Sequence, residues 1–142
     1  MGWFFIKRKK MSDNRIEQSL QQTKKAIQAL GVMICKPMDE DRGNIDASIQ
    51  RFEFTIELFW KLLKRILETK GVEVRYPKDV LQEAYAGGLI DDEKVWLRML
   101  KDRNLTSHTY NEDLADEIYE HIKKYYPILE EALQKIESIL GL

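Results

Sequence analysis

The chain has 142 residues, 23 of them basic and 24 acidic, a formal net charge of −1 and a single cysteine, Cys35. That length suits one domain able to bury roughly 70% of its unfolded surface, and a lone cysteine excludes both an intrachain disulfide and a thiolate metal cluster. Lys7, Arg8, Lys9 and Lys10 crowd into a first decade without an acid; leaving them out, 19 basic residues face 24 acidic ones, which excludes the broad basic footprint of a general nucleic-acid binder.

Trp3 to Ile6 is the one apolar run near a terminus, far short of the about 20 residues that cross a bilayer. The chain therefore reads as soluble and cytoplasmic, without a membrane partner. Met11 follows the basic cluster and precedes SDNRIEQ, a good helix opening. Residues 1–11 read as a basic extension, disordered or upstream of the native start, and residues 12–142 as one helical-bundle domain.

The first helix is expected to begin after a cap at Ser12 or Asp13, to carry Ile16, Leu20, Ile27 and Leu30 on one stripe, and to stop at Gly31. A polar loop with Pro37, MDEDRG and Asn44 follows. The second helix has the strongest periodicity of the chain, with Ile45, Ile49, Phe52, Ile56, Phe59, Leu63 and Ile66 recurring every three or four residues. Gly71 ends it, and Lys64, Arg65 and Lys70 near that end complement the helix dipole.

VEVRYP reads as an extended linker, and Pro77 as the first turn of a short helix bearing Val80, Leu81, Ala84 and Tyr85 until Gly87 and Gly88. Asp91 or Asp92 can cap a fourth helix with Val95, Trp96, Met99 and Leu100. Thr109 and Glu112 have capping-box spacing, so a fifth helix is expected near Tyr110. Its stripe is Leu114, Ile118 and Ile122, continuing past a kink or break at Pro127 through Leu129, Leu133, Ile136 and Leu140. The expected fold is all-α, an antiparallel bundle of five helices, or six if Pro127 divides the last.

Chemistry is sparse along this chain. His108 and His121 are not spaced as metal ligands on one helix face, so no metal site is expected, and no residues suggest a cofactor. Gly87 and Gly88 terminate a helix more simply than they cradle a phosphate. Glu53 and Glu57 stand at i, i+4 and read first as a solvated flank. His121 reads as a boundary residue beside Ile118 and Ile122, and Trp60 and Trp96 as core.

RNLTSHTY, Arg103 to Tyr110, differs from the rest. It gathers a permanent cation, an imidazole, an amide and three hydroxyls around one apolar residue, Leu105, at a helix junction. In a continuous helix Asn104 and His108 are i, i+4 neighbours, so the amide can orient the ring, while Arg103 stands about 140° from His108 around the axis. One copy would converge poorly on a small ligand, and two copies across a twofold axis would converge well. Histidine can move a proton to or from a ribose hydroxyl and arginine can neutralise a phosphate, which allows RNA cleavage or nucleotide binding. The alternative is structural, with Arg103 paired to Asp102 or Glu112 and His108 capping a helix end. From spacing alone the two readings stand level.

The motif R-x4-H-x-Y formed by Arg103, His108 and Tyr110 resembles the signature of the HEPN superfamily, nearest its HepT-like and nucleotidyltransferase substrate-binding proteins. IQRFEFTIELFWKLLK, the following V-R-x-P turn, the GLID junction and RNLTSHTY extend the likeness over nearly all of residues 12–140. The resemblance implies a homodimer joined through the motif-bearing helices and a partner that is a minimal nucleotidyltransferase of the DNA polymerase beta type, as in toxin-antitoxin pairs. It also implies metal-independent RNase activity carried by Arg103 and His108, with Tyr110 receiving AMP from the partner; Asn104 and Ser107, within the same segment, are read beside them as substrate-binding or orienting residues. The same resemblance allows a non-catalytic subunit that binds the transferase's substrate.

Overall fold

The computed structural model describes the backbone of residues 2–37 and 42–142 and the side chains of residues 14–37 and 42–142. The side chains of the basic cluster, and residues 38–41 of the MDEDRG loop, lie outside the described residues. Among the described residues the fold has five helices: α1 (Gly2–Ile34), α2 (Gly43–Thr69), α3 (Pro77–Ala86), α4 (Glu93–His108) and α5 (Glu112–Leu140). No strand occurs among the described residues, and none of the described helices is long and apolar enough to cross a membrane.

The second helix is the axis of the bundle, for α2 packs against α1, α3, α4 and α5. Its heptad-like apolar spacing explains this, since every residue of the stripe from Ile45 to Ile66 is buried. Phe59 meets Trp96 of α4 edge-on at 4.7 Å between centroids, and Phe52 stacks on Tyr125 of α5 at 5.7 Å. Each such side chain contributes about 1.5–3 kcal/mol by leaving water. Trp60 is only half-buried, so of the two tryptophans read as core, Trp96 alone is fully enclosed.

The helix ends depart from expectation in instructive ways. α1 begins within the basic segment rather than after Ser12 or Asp13, and it runs through Gly31 to Ile34. Gly31 is not a stop. A Cβ there would lie 2.3 Å from Tyr126 Oη and 2.6 Å from its Cζ, so glycine permits α5 to lay that ring on α1. α2 starts at Gly43, which takes Asn44 out of the loop and into the buried first turn. Pro127 neither breaks nor ends α5. The proline forfeits one backbone hydrogen bond, but Ile122 and Tyr125 before it and Leu129, Leu133 and Ile136 after it are all buried, and that packing holds both halves in one helix.

The α4 to α5 turn is built differently from a Thr109 capping box. Thr109 closes α4, its N–H bonding Leu105 O at 2.9 Å, and the side chain of Asn111 caps α5 by accepting from Leu114 N at 2.8 Å. At the other end of α4, Asp92 is the cap, accepting from the N–H groups of Lys94 and Val95. Asp92 and Thr109 thereby bound the helix that carries Arg103 and His108.

Candidate functional site

α4 presents its motif on two sides. On the side toward α2, Arg103 Nη2 donates to Glu57 Oε2 at 2.6 Å and Nη1 donates to the side-chain oxygen of Asn104 at 3.0 Å. One turn on, Ser107 Oγ is 2.9 Å from Glu53 Oε2 and the same distance from the Arg103 carbonyl. Beyond the helix end, the Tyr110 hydroxyl donates to Asp46 Oδ1. Asp46, Glu53 and Glu57 are seven and then four residues apart, so one stripe of α2 answers the arginine, the serine and the tyrosine in turn.

This stripe sets the electrostatics of the site. Partial burial pushes the Glu57 carboxyl up, but hydrogen bonds from Trp60 and Lys61 and the charge of Arg103 outweigh it and hold the group below the ordinary glutamate range. The hydrogen bond to Asp46, and then slight burial, push the Tyr110 phenol above its ordinary value. Arg42 anchors the neighbouring surface, its Nη2 lying 2.6 Å from Asp116 and donating to the Glu112 carbonyl.

On the other side, His108 is exposed at the rim of a groove between α3 and α4, floored by Leu97, Leu100 and Leu105 and flanked by Lys78 and Lys101. Residues 97, 101, 104, 105 and 108 share that face because they recur at three and four. The expected opposition of Arg103 and His108 within one chain is therefore present: one points to α2, the other to α3. The Asn104 amide accepts from Arg103 rather than holding the His108 ring. Arg103 pairs with neither Asp102 nor Glu112, the partners that a purely local reading suggested; its carboxylate comes from 46 positions away.

Asp102 has a separate task. It is 7% exposed and accepts from the Tyr125 hydroxyl at 2.6 Å, with His121 Nδ1 at 2.9 Å. The Tyr125 phenol is driven up by burial and then by this bond. The network ties α4 to α5 at the residue next to Arg103. His121 is the boundary residue expected, with a buried partner that the sequence reading missed. The signal available was His121 and Tyr125 at i, i+4; the signal for the acidic stripe was Asp46, Glu53 and Glu57 on one helix face.

A family model described as nucleotidyltransferase substrate binding protein like matches residues 14–138. A Haemophilus influenzae protein named probable ribonuclease HepT is 35% identical over 112 residues, covering 75% of this chain and 77% of that protein. Among solved structures, a Thermus thermophilus protein is 39% identical with a TM-score of 0.72, over 80% of this chain and 97% of its own. A second, from Haemophilus influenzae, has a TM-score of 0.63 at 29% identity, over 88% of this chain and 98% of its own; its title gives it the fold of a substrate binding domain of a nucleotidyltransferase.

Proposed function

Because the chain belongs to the nucleotidyltransferase substrate binding protein like family, we propose that it works beside a minimal nucleotidyltransferase as a homodimeric, metal-independent RNase silenced by adenylylation. The observation that carries this reading is the division of α4. Arg103 is fixed toward α2 and His108 stands toward α3, so a site with both groups requires a second copy facing the first.

In such a composite site His108 takes the proton of a ribose 2′-hydroxyl as that oxygen attacks the adjacent phosphorus. The O2′–P bond forms, the P–O5′ bond breaks and a proton is returned to O5′. Arg103 of the facing copy neutralises the charge on the phosphoryl oxygens. Two of its five N–H donors are engaged by Glu57 and Asn104, which orient the guanidinium and leave three for phosphate. Ser107 and Asn104 complete the polar rim.

Tyr110 is the proposed site of AMP attachment. The residue is 58% exposed, so a transferase can reach it, and Asp46 is in place to take the phenol proton as the oxygen attacks the α-phosphorus of ATP held by the transferase and pyrophosphate leaves. An AMP group there adds a negative charge at the motif and repels RNA. The test is cleavage of RNA in the presence of EDTA by purified, unmodified protein. We expect cleavage, its loss in His108→Ala, and a mass gain of one or more AMP groups on co-expression with the transferase. Absence of cleavage by the unmodified wild type would overturn the RNase reading.

A second reading is favoured by the family's description and by the neutralisation of Arg103 by Glu57. Here the protein is a binding subunit that docks the transferase and presents its substrate without catalysis. It predicts a stable complex with the transferase and no RNA cleavage in any form.

A further inference from the structure

The motif helix separates an acid-answered side from a lysine-lined one. Toward α2, three polar groups of the motif meet carboxylates: Arg103 meets Glu57, Ser107 meets Glu53, Tyr110 meets Asp46. Toward α3, the groove beside His108 is lined, among the described residues, by two lysines and no aspartate or glutamate, in a chain with 24 acidic residues. Of the two sides, the second is the better bed for an anionic strand, since on the first the one cation, Arg103, stands among three carboxylates, and potentials add over neighbouring charges.

The groove has a volume of about 520 Å³, within the roughly 300–1,000 Å³ range of sites that hold small organic ligands. Its floor of Leu97, Leu100 and Leu105 is apolar, and Leu105 is 38% exposed although it lies between polar neighbours. A cationic rim over an apolar floor suits a nucleotide, with phosphate at the lysines and the apolar face of the base against the leucines.

We propose that this α3–α4 groove seats the single-stranded RNA next to the cleaved bond, with Lys78 and Lys101 holding backbone phosphates and a base lying on Leu97, Leu100 and Leu105. The occupant rests on the RNase reading above. The groove gives His108 its own cations within one protomer, so the strand is held by one copy and the reacting phosphate is charged from the other. Lys78 and Lys101 thereby join the site as substrate-binding residues.

The experiment is anisotropy of a short 2′-O-methyl oligoribonucleotide, which cannot be cleaved by 2′-hydroxyl attack, titrated with the wild-type dimer, K78E, K101E and K124E. Lys124 is exposed on α5 and serves as the control. Binding is expected to weaken about tenfold in K78E and in K101E, the logarithmic salt slope to fall by about one for each lysine, and K124E to stay within about twofold of wild type. Wild-type affinity in both groove variants, in a protein that cleaves RNA, overturns the groove and leaves the RNase reading standing. A wild type that neither binds nor cleaves overturns both. If K101E changes the oligomeric mass while residual affinity per dimer is unchanged, the groove is covered by a second copy, and the proposal fails.

Discussion

Arg103 and Glu57, 46 positions apart, meet at 2.6 Å with less than a third of either side chain exposed. The carboxylate that holds the motif arginine therefore comes from the central core helix and not from the motif itself. This makes the direction of the arginine a property of α2 packing.

Replacing Glu57 by Gln should separate positioning from stability. The pair is partly solvated, so its loss costs at most about 1 kcal/mol, read as a small shift of the urea midpoint. RNA cleavage should fall about 10- to 100-fold, because a loosely held group misses the reacting geometry. The Glu57 carboxyl titrates below its unfolded value, so its contribution is complete above that value and disappears as pH falls through the lower folded one. A Glu57→Gln protein that cleaves at the wild-type rate would show that Glu57 does not position the arginine for the reaction.

The Tyr110 phenol should ionise above the ordinary tyrosine value of about 10. The hydrogen bond to Asp46 exists only while the phenol is protonated, so its stabilising contribution is complete below the unfolded value and is lost as pH rises through the higher folded one. The difference in tyrosinate absorbance between wild type and Tyr110→Phe isolates this group among six tyrosines. Its midpoint should drop in Asp46→Asn; an unchanged midpoint would mean that Asp46 does not hold the hydroxyl in solution.

Gly31→Ala offers a test of the fold. Alanine is favoured over glycine inside a helix by about 0.5–1 kcal/mol, yet here its methyl would meet Tyr126 Oη at 2.3 Å. We expect a net loss of about 1–3 kcal/mol in denaturant unfolding, reversed to a slight gain when Tyr126 is also Ala. Equal effects of Gly31→Ala in both backgrounds would show that the ring does not set the α1–α5 approach.

Much of the bundle was legible because burial follows period. The stripe Ile16, Leu20, Ile27, Leu30 of α1 and the stripe of α2 are buried residue for residue, and the Asp92 cap and Pro77 start follow from local chemistry. What escaped depends on contacts between distant segments. Gly31 reads as a stop until Tyr126, almost a hundred residues later, explains it, and Pro127 reads as a break until the burial of its neighbours is known. The motif itself was visible in RNLTSHTY, and helical geometry already set Arg103 apart from His108. The partners were not visible. Asp46, Glu53 and Glu57 look like a solvated flank when only α2 is considered, and Asp102 looks like an ordinary neighbour of Arg103 until Tyr125 and His121 close over it.

The central claim is that each functional site takes Arg103 from one copy and His108 from the other. Arg103→Ala and His108→Ala should each abolish RNA cleavage alone. Mixed under subunit exchange, half of the dimers carry both variants and each of these retains one intact site of two, so about a quarter of wild-type activity should return. A mixture that stays inactive although mixed dimers are demonstrated by mass would contradict it.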